Sequence, residues 1–160
     1  MAVIKKTVKD HDYRALAEFR YHIRRYLDSS DRAARAVGLK PKQYQLLLAI
    51  KGLSADTDPT VGILAEQLHL RHHSTVELIN RAEREQLVER SRVGTWVLVR
   101  ITGKGRRVLE RAVETRLHEL RIAGPVLVKS LQKLMNSRGL QKNKRKQSLN
   151  HKIHGKSGSR

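Results

Sequence analysis

The sequence predicts a mainly α-helical fold carrying one small β-hairpin, an α+β arrangement, and three observations support it. Apolar residues recur at spacings of three and four over much of the 160-residue chain. Residues 95–101, Thr-Trp-Val-Leu-Val-Arg-Ile, form one dense run of β-formers. Upstream of that run, two short helical segments flank a tight connection, His69-Leu70-Arg71. Two short helices followed by a two-stranded hairpin is the order of a winged helix-turn-helix.

The elements follow in chain order. Residues 11–37 read as a helix, because Leu16, Phe19, Ile23, Tyr26 and Leu27 keep helical spacing and no Gly or Pro intervenes before Gly38. Pro41 opens a second helix, 41–51, at a position where a first turn tolerates proline, and Gly52 stops it. Residues 53–59 are loop chemistry. Thr60 caps a short helix carrying Val61, Leu64, Ala65 and Leu68. The next helix opens near His72 and runs to about Gln86, and Ser74-Thr75-Val76-Glu77 matches a capping box within it. Strands are expected at 87–91 and 95–101, with Arg92-Val93-Gly94 as the turn. Thr102 caps a long helix to about Ile122, Gly124-Pro125 breaks it, and a last amphipathic helix carries Val126, Leu127, Leu131 and Leu134. An amphipathic helix at each end of a short chain has to bury its stripe, and the economical solution is a dimerisation layer built from 11–37 and 103–137. The DNA-binding lobe is then 41–102 within a domain of 11–140, with a flexible arm at 1–10.

Charge narrows the function. The chain has 34 Lys+Arg against 15 Asp+Glu, a formal net charge of +19. A field of that size attracts a polyanion. The last acidic residue is Glu119, so residues 121–160 hold 11 Lys+Arg and no acid. Residues 141–160 contain only Leu149 and Ile153 as aliphatic residues, which cannot offset the entropy of ordering them, and read as a disordered basic tail. With no cysteine, disulfides, thiol catalysis and Cys-ligated zinc are excluded. No apolar run approaches 18 residues, and Met1-Ala2-Val3-Ile4-Lys5-Lys6 lacks a signal-peptide core, so a cytoplasmic protein with no membrane partner is expected. No Gly-rich phosphate loop, nucleophile elbow or paired-carboxylate motif occurs, and no enzyme activity is expected. His69, His72 and His73 cluster in sequence, but only Glu66 and Glu77 lie near them as carboxylates, and no metal or other cofactor is expected.

Five segments together carry a family resemblance: Leu-Lys-Pro-Lys-Gln-Tyr-Gln-Leu-Leu-Leu-Ala-Ile (39–50), Thr-Val-Gly-Ile-Leu-Ala-Glu-Gln-Leu (60–68), Arg-His-His-Ser-Thr-Val-Glu-Leu-Ile-Asn-Arg (71–81), Leu-Val-Glu-Arg (87–90) and Val-Leu-Val-Arg-Ile-Thr-Gly-Lys-Gly (97–105). In order and spacing, from about residue 11 to 137, the chain resembles the MarR family of transcription regulators. The resemblance implies a homodimer whose two winged lobes grip duplex DNA. It also implies a small aromatic or anionic effector, for which Tyr21, Arg24, Arg25 and Tyr44 would supply aromatic walls and a cation. By themselves the same residues read as core tyrosines and solvated arginines. The sequence departs from the family in its wing, commonly longer and carrying an Asp and paired Arg near the tip. Here it is Ser91-Arg92-Val93-Gly94, with no acid.

The recognition helix is read by angle, at about 100° per residue. Thr75, Leu78, Ile79 and Ala82 fall on one arc and are expected in the core. His73, Glu77, Asn80 and Arg84 fall on the opposite arc, with Ser74 and Arg81 on its shoulder and His72 at the helix start. Asn can bond adenine at two points, Arg guanine at two, and Glu can accept from cytosine. Arg90, Arg92 and Arg100 flank the wing as candidates for phosphate or minor-groove contact. Trp96 is expected to pack under the wing. The function predicted is a sequence-specific, homodimeric, DNA-binding repressor relieved by a small anionic or phenolic ligand. The rival is a non-specific nucleic-acid or chromatin-associated architectural protein using the same fold as a clamp.

Overall fold

A computed structural model describes residues 8–137 of the chain. Residues 1–7 of the expected arm and the whole of the expected basic tail lie outside the described residues. The order is α1 (Asp10–Ala36), α2 (Pro41–Gly52), α3 (Val61–Gln67), α4 (His72–Arg84), β1 (Val88–Val93), β2 (Trp96–Ile101) and α5 (Gly103–Ser137). The mainly helical winged-helix fold predicted from the sequence is the one found. The chain divides into two compact units, Leu27–Leu120 and the described parts of Met1–Tyr26 with Arg121–Arg160.

The unit 27–120 is built on one apolar core. Leu46, Leu47, Leu64, Ile79 and Val99 are fully buried in it, and Ala34 from α1 and Ala112 from α5 join them. Helix ends repeat one device. Leu39 N–H bonds to the Ala34 carbonyl at 2.9 Å and Gly38 N–H to Arg35 at 3.0 Å, closing α1 with six- and four-residue turns. The same pair of bonds closes α3 at Leu70 and His69, and α4 at Leu87 and Gln86. His69 and Gln86 accordingly hold φ at 50° and 59°, a conformation costing a side-chain-bearing residue about 1–2 kcal/mol.

The wing is an antiparallel pair with Val88 opposite Ile101 and Val93 opposite Trp96. Its turn is therefore the two residues Gly94 and Thr95, not the expected Arg92-Val93-Gly94. Gly94 at φ 59° provides the first position of a tight hairpin loop whose twist suits the strands, so the ladder extends through Arg92 and Val93. The other edge of β2 is covered by residues 59–60: Thr60 bridges Leu98, and Val99 N–H bonds to the Pro59 carbonyl at 2.9 Å. Thr60 also caps α3 as predicted, its Oγ1 accepting from Ile63 N–H at 3.4 Å. The capping box at Ser74 is not used, because α4 begins at His72 with Arg71 as its N-cap and Ser74 already lies inside the helix.

In the unit of the chain ends, α5 continues through Pro125, where a break was expected. Proline removes one helical hydrogen bond and crowds the preceding turn, at about 3 kcal/mol or more. Tertiary contacts hold the segment beyond it: Lys133 Nζ donates to Glu18 Oε2 at 2.5 Å, and Ser130 is buried with its Oγ on the Leu127 carbonyl at 2.8 Å. The Lys133 bond is also the main reason the Glu18 carboxyl titrates below its ordinary range.

The start of α5 is bound tightly to the wing base. Thr102 caps it as predicted, with Oγ1 accepting from Gly105 N–H at 3.1 Å. Gly105 sits so close to the strand that a Cβ there would overlap the Leu87 carbonyl oxygen. Gly105→Ala is expected to destabilise the fold by about 1–3 kcal/mol through overpacking, read as a lower midpoint in urea unfolding. An unchanged midpoint would mean the contact is not tight in solution.

Candidate nucleic-acid interface

Helix α4 divides by face. Thr75, Leu78, Ile79 and Ala82 are buried, and Thr75 Oγ1 donates to the Arg71 carbonyl at 3.1 Å. His72, His73, Glu77, Asn80, Arg81 and Arg84 are exposed and Ser74 is half-buried. The division arises because one edge packs into the core shared with Leu46, Leu47 and Leu64. What remains outward is a run of donors and acceptors on a rigid helix.

The far end of α4 is anchored from three sides. Lys40 Nζ donates to Glu85 Oε1 at 2.8 Å, Lys104 Nζ to the Glu85 carbonyl at 2.9 Å, and Thr102 Oγ1 to the Gln86 carbonyl at 2.6 Å. Two lysines at a helix C-terminus complement its partial negative charge. The Lys40 hydrogen bond, seconded by Gln43, holds the Glu85 carboxyl below the usual carboxylate range.

Arg90 ties the wing to this helix. Its guanidinium donates to Glu83 Oε2 and, at 2.6 Å, to Asn80 Oδ1, while its backbone N–H donates to Glu83 Oε1 at 3.2 Å. Two of the sequence-predicted contact residues are thus engaged with each other. With Oδ1 accepting from Arg90, Asn80 presents only its amide hydrogens and cannot make the two-point contact to adenine in this arrangement. Arg84 Nε turns back to the Asn80 carbonyl at 3.4 Å, leaving its remaining donors outward. Glu83 escaped the sequence reading. Its only signal was position, three residues after Asn80 and so on the same side of the helix.

On the hairpin, Arg92 and Arg100 are exposed, and Arg100 stands opposite the hairpin's one acid, Glu89. Trp96 is not packed under the wing as expected. It pairs with Val93 beside the turn and is 65% exposed, because the longer ladder carries it past the core.

The effector residues divide between the two units. In one, Tyr21 is exposed, with Arg25 over its ring at 5.9 Å and His22 edge-on, and Arg24 and Arg25 are exposed. In the other, Tyr44 is a buried member of the core. A groove of about 610 Å³ opens elsewhere in unit 27–120, floored by Leu48, Ile101, Leu109, Val113 and Leu117 with Lys51 and Arg106 among its lining. Among the described residues no three His, Asp or Glu side chains are placed to hold one metal ion. No described helix is long and apolar enough to cross a membrane.

No protein-family model and no curated protein matches this sequence. Solved structures do. A MarR family protein from Bacillus stearothermophilus aligns at 26% identity and a TM-score of 0.56, covering 79% of this chain and 96% of that one. AbsC, a MarR family transcriptional regulator from Streptomyces coelicolor, aligns at 16% identity and a TM-score of 0.68, covering 84% and 94%. A mutant of S. aureus MepR bound to an oligodeoxyribonucleotide aligns at 15% identity and a TM-score of 0.52, covering 84% and 91%. The fold is that of the MarR family regulators. Within this MarR fold the wing has no acid at its tip, and the acidic partner of its arginine comes from α4 as Glu83. Arg90→Ala is expected to cost about 1–2 kcal/mol, since half-exposed charged hydrogen bonds are worth less than buried ones. Hydrogen exchange should quicken at the amides of 90–98 and stay unchanged in α2. Equal protection of the wing in both proteins would remove Arg90 from this role.

Proposed function

We propose that the chain is a sequence-specific, double-stranded DNA-binding transcription regulator of the cytoplasm, acting as a homodimeric repressor and not as an enzyme. The observation that carries this is α4: a helix-turn-helix second helix with its apolar edge in the core and His72, His73, Glu77, Arg81 and Arg84 all outward. His73, Ser74 and Glu77, in the first turns of α4, are assigned to base edges, where such helices read. Arg81 and Arg84 are assigned to bases or phosphates, and Arg92 and Arg100 to phosphates or the minor groove. Asn80 and Arg90 are assigned chiefly to holding wing and helix together. The oligonucleotide bound to MepR supports the reading as a property of that protein's similar fold.

The dimer follows from surface chemistry. The unit of the chain ends exposes Leu16, Tyr21, Ile122, Val126, Val128, Leu131 and Met135. So many large apolar side chains on a small unit mark an interface. Relief of repression by a small anionic or phenolic ligand is supported by the Leu48–Leu117 groove, which offers apolar walls with Lys51 and Arg106 and has the size of ordinary ligand sites. Tyr44, in the core, does not line that groove.

One observation favours the rival, non-specific clamp: the net charge of +19, which strengthens contact with any phosphate backbone. Base contacts specify and phosphate contacts position, so the two readings separate by experiment. Duplexes are selected from a random pool by the full chain and compared with unselected duplexes. Glu77→Ala or Arg84→Ala should narrow the ratio of selected to unselected affinity, by about 1–3 kcal/mol for each side chain that reads a base. Removing residues 141–160 should weaken both equally and flatten the salt dependence. If no duplex is enriched, the protein is the clamp and not a sequence reader.

The paired substitution Ile122→Glu with Leu131→Glu is expected to convert the dimer to a monomer in light scattering. A dimer unaffected by both charges would place the interface elsewhere.

A further inference from the structure

The hairpin tip carries an exposed apolar pair that neither the core nor the reading helix uses. Trp96 is 65% exposed and Val93, directly opposite it, is 51% exposed. An indole left in water at the end of a tight turn has a free-energy incentive to be covered. The pleat of the ribbon decides what lies around it. Successive side chains alternate, so Arg90, Arg92, Val97 and Val99 share one face, and Val93 and Trp96 share the other. Arg90 bonds α4 from its face. The tip is therefore an arginine on the α4 side and an apolar pair on the opposite side, held in place by the Arg90 bonds to Glu83 and Asn80.

Charge identifies the occupant. The two strands hold Arg90, Arg92 and Arg100 against one acid, Glu89, and that acid faces Arg100 across the ladder. An apolar surface bordered by cations suits a ligand with apolar walls between lines of negative charge. The minor groove of duplex DNA is such a ligand. It is about 6 Å wide, its walls are deoxyribose and its rims are phosphate, and apolar side chains are accepted there. A two-residue turn makes the tip narrow, with strands about 4.8 Å apart.

We propose that Trp96, with Val93, packs against the deoxyribose wall of the minor groove while Arg92 meets a phosphate. Trp96 then contributes affinity and a preference for groove shape without hydrogen-bonding a base. This rests on the DNA-binding reading above.

Trp96 is the only tryptophan in the chain, so its fluorescence reports the tip alone. The full-length protein is titrated with a duplex selected from a random pool and with an unselected duplex of the same length, and acrylamide quenching is measured at saturation. The expected result is a blue-shifted emission and reduced quenching when duplex is bound. Trp96→Ala should lose about tenfold in affinity, and Trp96→Phe less, with unchanged circular dichroism and oligomeric state. Binding that leaves Trp96 as open to acrylamide as before, or a Trp96→Ala protein binding at full strength, overturns the inference and leaves the DNA-binding reading standing. Protection of Trp96 in the absence of duplex also overturns it, since the tip would then be a protein contact. Absence of duplex binding by the unaltered protein overturns the DNA-binding reading and this inference with it.

Discussion

Leu87 is the junction on which the winged lobe depends. Its side chain is buried, its N–H closes α4 on the Ala82 carbonyl, and its own carbonyl accepts from the N–H and Oγ1 of Thr102 at 3.1 and 3.2 Å. Gly105 lies against that same carbonyl. One residue thus links the end of the reading helix, the first strand and the start of α5. These elements meet so closely that there is no room for a side chain on α5 at that point. The orientation of the wing relative to α4 is set by this crowding first and by the Arg90 bonds second.

A consequence is that the recognition surface is made of two layers with different duties. The inner layer, Asn80, Glu83 and Arg90, uses its hydrogen-bonding capacity inside the protein. The outer layer, His72, His73, Glu77, Arg81, Arg84, Arg92 and Arg100, is exposed and keeps its donors and acceptors for a ligand. Pre-organisation of this kind lowers the ordering cost of association. It also explains how a short wing without an acid of its own stays in position, because α4 provides the carboxylate that the hairpin lacks.

Much of this was legible in the sequence because it depends on local rules. Helical spacing of apolar residues placed α1 to α4. Thr60 and Thr102 were recognisable caps, and Gly38 a helix end. Periodicity alone separated Thr75, Leu78, Ile79 and Ala82 from the outward face of α4. The departures occur where a local signal competed with a distant contact. Gly124-Pro125 reads as a break, yet the segment beyond it is held by Glu18 and by the burial of Ser130. Ser74 fits a capping box, yet α3 and its turn deliver the chain into helix two residues earlier. Trp96 reads as core, yet the strand extends far enough to carry it out.

The sequence by itself determined the order of elements, the reading helix and its polar face, and the excess of positive charge. Each is a property of neighbouring residues or of composition. The tertiary structure alone decided that Arg90 bonds both Asn80 and Glu83, that Tyr44 is core, and that the wing ends in an exposed indole. Those outcomes depend on which residues meet across separate elements of the chain. Such meetings are set by the packing of the whole lobe around Leu46, Leu47 and Ile79, and no local spacing encodes them.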